Sequence, residues 1–359
     1  MALFSIPNVK ITGIASAVPG GVVDNLELKL MASEERDAFV NRVGIRSRRI
    51  APASICASDL CIAAAERLLA ETGEKSDEIG ALVFVTQTPD FLLPGNCALA
   101  QKRLGLSTST YLIDLNQGCA GYVYGLATLS GIMRAAGIKK GLLLVGDTIS
   151  RLISAEDKST LPIFSDAGSA TLLEYSTTPV PMFFNLGSDG EGFSAIYVRD
   201  GGARHPFRNE SLNMQDIAPG VRRAPANLAM QGLDVLQYAF RHVVPNIAGL
   251  LEMAGCKIDD PDFYVFHQAN RLLNEGLAKK LGLDLGKVPE SLADFGNTSS
   301  ATIPVTLNYR LNRTLAEGTH KLLLSGFGIG FSWGSALIQV DSIVCPEVIE
   351  LNQNSGGLT

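Results

Sequence analysis

The sequence lacks most of the patterns by which metal-binding, nucleic-acid-binding and membrane proteins are identified. Its four histidines are scattered and none of its six cysteines forms a C-x-x-C pair, so no metal site is expected. The net charge of −6 argues against a nucleic-acid partner. No apolar run approaches the ~20 residues that a membrane-spanning helix needs. We therefore expect a protein that binds neither metal, nucleic acid nor membrane.

Features of a signal peptide are also missing, because the opening residues carry no charged segment followed by an apolar one. Cysteines without paired spacing are typical of free thiols in a reducing compartment, so a cytoplasmic location is expected. Charged residues make up only 18% of the chain, while 46% are hydrophobic and 36 are glycine. This composition, over 359 residues, indicates a compact enzyme of one large or two modest domains.

Apolar runs alternate with helical patterns along the chain, and the theme repeats after Pro179. We predict a helix over residues 227–254 and, from its Gly, Pro, Asn and Asp content, a loop over residues 199–226. The repeat indicates two similar halves, divided near residues 175–180. Predicted strands include 81–85, 111–115 and 263–266.

Cys119 lies where a strand-like run from Tyr111 ends in Gly118 and a helix-like run begins. The unpaired N–H groups and the dipole of a helix N-terminus favour a thiolate, which is the nucleophilic form of cysteine. This placement predicts covalent catalysis. The alternative is a buried structural cysteine, the usual state of an intracellular thiol.

Two further strand-to-helix junctions carry polar residues. His267 follows a short apolar strand and can exchange a proton near neutral pH, although a histidine there can also cap the next helix. Asn297 lies in a turn rich in Gly, Ser and Thr, where it can form the turn or donate a neutral amide N–H to an oxyanion. A thiol, a histidine and an amide donor at three such junctions predict an acyl-transfer site.

These segments resemble the active-site motifs of the β-ketoacyl-acyl-carrier-protein synthase III family, within the thiolase superfamily. The resemblance extends from about Val9 to Val340, nearly the whole chain. The three main motifs are Cys119-Ala-Gly, His267-Gln-Ala-Asn270 and Gly296-Asn297-Thr-Ser. Supporting matches are Arg42-Val-Gly-Ile-Arg46, Thr86 through Pro94, Phe164 through Ala170, and Gly326 through Ser335.

The resemblance implies an α/β protein with the thiolase-like five-layered αβαβα fold and an internal duplication. Residues 1–178 would form an N-terminal half that carries the nucleophilic cysteine. Residues 179–345 would form a C-terminal half that carries the histidine and the asparagine, followed by a C-terminal tail at 346–359. A homodimer is implied as well.

The same resemblance implies a reaction in two stages. Cys119 attacks an acyl thioester, and the backbone N–H groups of Cys119 and Ile329 form an oxyanion hole. A malonyl thioester then loses CO₂ while His267 and Asn297 hold its enolate oxygen, and its carbanion attacks the acyl group. No bound cofactor is implied, since the thioesters of coenzyme A or of an acyl-carrier protein are substrates.

Substrate-contacting positions implied by the resemblance are Arg42, Lys158, Leu93 and Asn270. Many family members place a tryptophan on the adenine of coenzyme A where this chain has Ala38, and an arginine where it has Lys158. Without that aromatic ring and that planar guanidinium, an acyl group carried on a protein becomes a serious alternative to acyl-coenzyme A. Leu93 takes the place of a phenylalanine that often floors the partner's acyl pocket, so medium-chain or functionalised acyl groups are expected.

Lys279 and Lys280 match positions at which the family docks an acidic acyl-carrier protein, whereas Gln237 and Leu272 occupy other docking positions. The arginines of residues 199–226 are either solvated or form a mouth for an acidic carrier or its phosphopantetheine. The lysines therefore predict electrostatic docking of an acidic carrier protein, while the uncharged Gln237 and Leu272 do not add to it.

Three other interpretations compete with the condensing enzyme. A non-decarboxylative acyltransferase on the same scaffold would use Cys119 and His267 to pass an acyl group to an alcohol, amine or sugar. A non-catalytic subunit of a heterodimeric synthase would not need the intact cysteine, histidine and asparagine. A papain-like hydrolase uses the same three residue types, but its local cysteine signature is absent. Release of CO₂ from a malonyl donor distinguishes the condensing enzyme.

Overall fold

The computed structural model describes residues 2–352 of the chain. Of the tail predicted at 346–359, residues 353–359 lie outside the described residues. The strands are β1 Ala2–Ile6, β2 Val9–Pro19, β3 Val22–Asp24, β4 Ser47–Arg49, β5 Ala81–Val85, β6 Tyr111–Leu115, β7 Lys140–Asp147, β8 Ala167–Tyr175, β9 Met182–Ser188, β10 Ile196–Val198, β11 Gln215–Ala218, β12 Val221–Arg223, β13 Leu228–Met230, β14 Phe263–Phe266, β15 Thr319–Gly328, β16 Ser332–Asp341 and β17 Ile349–Leu351. The helices are α1 Ser33–Val43, α2 Ala57–Thr72, α3 Asn96–Leu104, α4 Gly121–Ala136, α5 Gly232–Met253, α6 Arg271–Leu281, α7 Leu292–Phe295, α8 Thr302–Arg310 and α9 Asn312–Leu315.

Two mixed sheets organise these elements. One has the strand order β17-β2-β8-β7-β5-β6, and the other has the order β1-β9-β16-β15-β14. In the first sheet β5 runs parallel to β6 and β7, while β7 and β8 are antiparallel. In the second, β14 runs parallel to β15, while β15 and β16 are antiparallel. Parallel neighbours need crossover helices, which places helices on the faces of both sheets.

Helices and sheets alternate in five layers, with one hydrophobic core around the central helices and one beneath each outer helical layer. Helices α2 and α3 cover the outer face of the six-stranded sheet, and α5 and α6 cover the outer face of the five-stranded sheet. Helices α4 and α8 lie between the sheets and contact both. A helix between two sheets must be apolar on all sides, and α4 meets this demand with Gly-Tyr-Val-Tyr-Gly-Leu-Ala-Thr-Leu. The five-layered, duplicated α/β arrangement is confirmed.

The chain ends cross between the two halves. Strand β1, at the start of the chain, pairs with β9 in the five-stranded sheet, and β17, near the end, pairs with β2 in the six-stranded sheet. Each sheet therefore receives an edge strand from the far end of the chain. None of the helices within residues 2–352 is long and apolar enough to cross a membrane.

The strands predicted at 81–85, 111–115 and 263–266 are confirmed to the residue. The helix predicted over 227–254 is wrong at its start, because residues 228–230 form β13 paired with β10 and the helix begins only at Gly232. The loop predicted over 199–226 contains the antiparallel pair β11 and β12, which turns at Gly220 with φ of 74°. Both errors concern short strands, for which periodicity gives little signal.

Candidate active site

Cys119 lies between β6 and α4, in the centre of the molecule, and is only 5% exposed. The helix begins at Gly121, two residues later than predicted, with Ala120 at its N-cap. Gly121 N–H donates to the carbonyl of Gly118, which closes a tight turn around the cysteine. The strand–turn–helix sequence therefore presents the thiol at an element junction, as predicted, but ahead of the first helical turn.

Two glycines of β15 allow the opposite half of the molecule to approach Cys119. A Cβ built on Gly326 would stand 2.7 Å from the carbonyl oxygen of Cys119. A Cβ built on Gly328 would stand 2.8 Å from the Cys119 sulfur. Real Cβ atoms essentially never have contacts below 3.0 Å, so glycine is required at both positions unless the neighbouring atoms shift. The backbone of β15 is thereby packed directly against the nucleophile.

The thiol of Cys119 is protonated in the resting site. Burial, and after it the negative charge of Asp147, raises the pKa of the Cys119 thiol to about 12. Backbone N–H groups of Ile329 and Cys119 act in the opposite direction on this pKa, but less strongly. The backbone N–H groups thus act on this pKa in the direction that the sequence predicts, although desolvation has the larger effect.

His267 directly follows β14 and faces the same cavity as Cys119. Its Nδ1 lies 2.7 Å from the hydroxyl of Thr302, the first residue of α8, and its ring packs edge-on against Phe327. Burial lowers the pKa of His267 to about 3, so the imidazole is neutral at physiological pH. A neutral, oriented imidazole can donate a hydrogen bond but brings no charge to the site.

Asn297 is held in position by hydrogen bonds on both sides of its backbone. Its N–H donates to the carbonyl of Ile163, and its carbonyl accepts from Ser165 N–H. The side-chain Oδ1 accepts from the backbone N–H of Ser299 at 2.9 Å, which leaves the Nδ2 group to donate into the cavity. Asn297 is thus an amide donor with a fixed orientation.

Two residues of the same loop were not singled out from the sequence. Ser299 is 1% exposed, has a φ of 53°, and lies beside the Cys119 sulfur, yet its hydroxyl makes no hydrogen bond of good geometry within the described residues. Ser300 donates from its hydroxyl to the buried carboxylate of Asp147 at 2.6 Å. Asp147 also accepts from the N–H of Gln87, so this carboxylate joins loops from both halves of the molecule. Within the sequence, this network was indicated only by the supporting match from Thr86 through Pro94, which contains Gln87, and by the serine-rich turn.

The three predicted residues meet in one largely apolar cavity. Cys119, His267 and Asn297 line it together with Ser299 and Gly328. The other lining residues are Ile149, Ile163, Phe164, Ile196, Met230, Gly232, Val235, Ala269, Asn270, Phe327 and Ile329. A largely apolar cavity with a few polar groups in its lining suits an acyl chain or a thioester arm.

Asn270 lines this cavity and also caps α6, because its Oδ1 accepts from the N–H of Leu273 at 2.9 Å. Lys279 and Lys280 lie in the last turn of α6, away from the cavity. Lys280 places its Nζ 5.5 Å from the centre of the Phe240 ring, while Lys279 is exposed. Helix α6 therefore borders the cavity at its N-terminus and carries the two lysines at its C-terminus.

The remaining predicted substrate positions do not line the cavity of Cys119. Arg42 lies exposed in the last turn of α1. Lys158 donates from Nζ to Glu35 Oε1 at 2.7 Å, and its backbone N–H donates to the carbonyl of Gly220. Leu93 is 87% exposed on the single chain. Since the role predicted for Leu93 concerns a partner subunit, it stays a prediction.

Comparison with known proteins gives concordant matches over the whole chain. A family model described as 3-oxoacyl-[acyl-carrier-protein (ACP)] synthase III matches residues 113–190, and the model of its C-terminal part matches residues 251–340. A β-ketoacyl-[acyl-carrier-protein] synthase III of Desulfitobacterium hafniense is 32% identical over 333 residues, which cover 92% of this chain and 98% of the relative.

Two solved structures are similar over nearly their full lengths. A 3-oxoacyl-(acyl-carrier protein) synthase of Burkholderia xenovorans LB400 superposes with a TM-score of 0.92 at 35% identity, covering 98% of this chain and 99% of that one. A 3-oxoacyl-(acyl-carrier-protein) synthase III superposes with a TM-score of 0.87 at 34% identity, covering 92% of this chain and 99% of that one.

Proposed function

This chain belongs to the 3-oxoacyl-[acyl-carrier-protein] synthase III family, with its thiolase-like fold, and we propose that it loads an acyl group on Cys119 and condenses it with a malonyl thioester. The convergence of Cys119, His267 and Asn297 in one buried cavity carries this proposal. The product is a β-ketoacyl thioester, in fatty-acid synthesis or a related acyl or polyketide route. The enzyme is accordingly an acyltransferase.

In the first stage the sulfur of Cys119 attacks the carbonyl carbon of an acyl thioester. The backbone N–H groups of Cys119 and Ile329 both act on the Cys119 sulfur and thus lie close to the reacting carbon. We assign them to the tetrahedral oxyanion, where such donors are worth ~3 kcal/mol each. The carbon–sulfur bond to the carrier breaks, and the proton of the Cys119 thiol ends on the released carrier thiol.

In the second stage a malonyl thioester loses its carboxylate as CO₂, and the electron pair forms an enolate. The His267 Nε2–H and the Asn297 Nδ2–H donate to the enolate oxygen. We assign the proton of His267 to Nε2, with Nδ1 accepting from the Thr302 hydroxyl 2.7 Å away. The enolate carbon then attacks the acyl carbonyl, and Cys119 leaves as a thiolate that takes a proton.

The donor of the acyl group is proposed to be an acyl-carrier protein. Lys158 is engaged with Glu35, so its ammonium is bound to a carboxylate at the place where many relatives stack an adenine. The cavity mouth at Gly232 and Asn270 is flanked by the exposed side chains of Leu233 and Leu272. Lys279 and Lys280, at the other end of α6, add positive charge to the same helix, which suits an acidic carrier protein.

A homodimer is proposed from the free edge of the six-stranded sheet. Within residues 2–352 strand β6 has no further neighbour in that sheet, and Phe91, Leu92 and Leu93, in the segment between β5 and α3, are 54%, 90% and 87% exposed. Unpaired strand edges and contiguous exposed apolar residues are typical of an interface. Sedimentation should show a dimer that Leu92→Asp weakens, while Leu285→Asp, at another exposed leucine, does not. A monomeric wild type would contradict this assignment.

Intact-protein mass spectrometry tests the function directly. The protein is incubated with acyl-coenzyme A or acyl-carrier protein and then with malonyl-carrier protein. We expect an acyl adduct on the wild type and on a Cys56→Ser control, none on Cys119→Ser, and discharge of the adduct with release of CO₂. An adduct that persists with the malonyl donor but passes to an alcohol, amine or sugar would instead support the non-decarboxylative acyltransferase. No adduct from any donor would refute both.

A further inference from the structure

A second cavity lies beside the cavity of Cys119, and three isoleucines form the wall between them. Ile149, Ile196 and Ile329 line both spaces. We call the second cavity the side chamber. Its other lining residues are Gln87, Asn116, Leu152, Tyr197, Val198 and Leu228. The three isoleucines therefore separate the cavity of Cys119 from a space that also has polar groups in its lining.

Gln87 and Asn116 supply these polar groups. Gln87 Nε2 donates to Asn116 Oδ1 at 3.3 Å, which orients both amides. Gln87 Oε1 is buried and has no hydrogen-bond partner within residues 2–352. Buried acceptors are nearly always paired with protein, water or ligand. The Gln87 oxygen is thus an acceptor whose donor the described chain does not supply.

The equivalent glutamine of the other half shows that the fold does not require an unpaired oxygen. Gln268 is the second residue after β14, as Gln87 is the second residue after β5, and the two strands hold corresponding places in their sheets. Gln268 Nε2 donates to the carbonyl of Phe266 at 2.8 Å, and its Oε1 accepts from Ser291 N–H at 3.1 Å. The Nε2 and Oε1 atoms of Gln268 both have hydrogen-bond partners, whereas the Oε1 atom of Gln87 has none within residues 2–352.

The free acceptor lies close to the nucleophile. A Cβ built on Gly118, the residue before Cys119, would stand 2.4 Å from Gln87 Oε1 and 3.2 Å from Ile329 Cδ1. The backbone of Gln87 is fixed because its N–H donates to the buried Asp147 Oδ1 at 2.7 Å. Gln87 Oε1 therefore lies against the backbone of the residue that precedes Cys119, on the side chamber's face of the three isoleucines.

Resting on the proposed function, we propose that Gln87 and Asn116 form a specificity site for a hydroxyl group on the acyl chain. The preferred substrates are then hydroxyacyl thioesters with the hydroxyl near the thioester carbonyl. A hydroxyl is both donor and acceptor, so it can donate to Gln87 Oε1 and accept from Asn116 Nδ2. A plain alkyl chain leaves the oxygen unpaired, and a carboxylate would place a negative charge against it.

The test measures kcat/KM for acylation of Cys119 with carrier thioesters matched in length. These are hexanoyl, both enantiomers of 3-hydroxyhexanoyl, and 4-hydroxyhexanoyl. The variants are Gln87→Leu and Asn116→Leu, with Leu152→Met as a control that changes the same chamber without changing its polarity. We expect the wild type and Leu152→Met to prefer a hydroxyacyl group by about 10- to 100-fold, the effect of leaving a buried acceptor unpaired.

Gln87→Leu should reverse this preference by raising the rate with hexanoyl and lowering it with the hydroxyacyl group. Equal rates for all four thioesters in the wild type would overturn the inference but not the function, because Cys119 would still be loaded. An equal loss for plain and hydroxylated chains in Gln87→Leu would likewise show a structural role only. Asn116→Leu changes an exposed position and provides the test if Gln87→Leu does not fold. If Asn116→Leu kept the wild-type preference for hydroxyacyl groups, the inference would also be overturned. If no thioester loads Cys119, the proposed function itself fails.

Discussion

The two halves of the molecule present different side chains to one cavity from the same strand pattern. In the six-stranded sheet β5 is parallel to β7, which is followed by the antiparallel β8 and β2. In the five-stranded sheet β14 is parallel to β15, which is followed by the antiparallel β16 and β9. Helix α3 follows β5 as α6 follows β14, and α4 and α8 lie together between the sheets. Each half therefore has two corresponding junctions, one at the end of a strand and one before a central helix.

Those corresponding junctions carry different chemistry. Cys119 precedes α4, whereas Asn297 and Ser299 precede α8. Gln87 follows β5, whereas His267 follows β14. Under the proposed function the first half holds the acyl group, and the second half holds the oxygen of the incoming enolate. The duplicated fold therefore gives both halves the same backbone junctions. The different side chains at those junctions assign one stage of the reaction to each half.

Removal of the Asn297 amide tests that division most strongly. Asn297→Ala should lower condensation by about 100-fold or more, since the enolate loses one donor, while acylation of Cys119 survives. Asn297→Asp keeps an acceptor for Ser299 N–H but removes the donor, and should show a similar loss. Single-turnover acylation followed by mass spectrometry, and CO₂ release for condensation, measure the two stages separately.

An exposed asparagine, Asn213, supplies the matched control, and Asn213→Ala should leave both stages unchanged. A parallel fall of acylation and condensation in Asn297→Ala would show that the two halves do not divide the reaction.

Gly328→Ala should damage the contact between the halves. Its methyl group would stand 2.8 Å from the Cys119 sulfur, so the nucleophile or β15 must shift. A displacement near 1 Å costs roughly 100-fold in rate, and we expect acylation and condensation to fall together. Gly131→Ala, whose methyl group would approach only Ile6 at 3.9 Å, is the control. Normal acylation by Gly328→Ala would mean that β15 does not fix the position of Cys119.

The pH dependence of the free energy of unfolding tests whether the buried His267 is uncharged. His267 has a folded-state pKa of about 3, below its usual 6.5, because it is buried. Below pH 6.5 the unfolded chain takes up a proton that the folded chain refuses, so stability present above that pH is lost as the pH falls towards 3. The expected contribution is up to about 1.4 kcal/mol for each pH unit below 6.5.

Urea unfolding of the wild type and of His267→Asn, at intervals from pH 7 to pH 5, measures this contribution. The variant should lose stability less steeply as the pH falls, whereas His205→Asn, at an exposed histidine, should follow the wild type. Parallel curves for the wild type and His267→Asn would show that the imidazole is not held neutral by burial.

Much of this arrangement could be predicted from the sequence. Strands β5, β6 and β14 have strong apolar runs that end in Gly or polar residues, so their bounds and the junctions at Cys119 and His267 were predicted correctly. The motif around Asn297 identified the third junction. Local signals suffice here because the chemistry lies where one pattern changes to another.

Other features depend on contacts between distant residues and could not be predicted. The raised pKa of Cys119 results from burial between two halves that lie far apart in sequence. Asp147 follows from no motif, since its partners Gln87 and Ser300 come from different loops. The unpaired oxygen of Gln87 is visible only beside the paired oxygen of Gln268.

The smallest expected effect concerns basic residues on the surfaces of the two halves. Helices α3 and α6 correspond in the two halves, and each ends in two basic residues, Lys102-Arg103 and Lys279-Lys280. Arg103 is tied to Asp59 and Lys280 lies over Phe240, so Lys102 and Lys279 form a matched exposed pair. Of these two lysines, only Lys279 lies on a helix that borders the cavity of Cys119.

Lys279→Glu should raise KM for the carrier protein about 5- to 10-fold, and more at low salt, with kcat unchanged. The reason is that a surface charge acts mainly on the encounter of the two proteins. Lys102→Glu should change neither; equal effects of the two substitutions would show that net charge, rather than a docking surface on α6, sets carrier affinity.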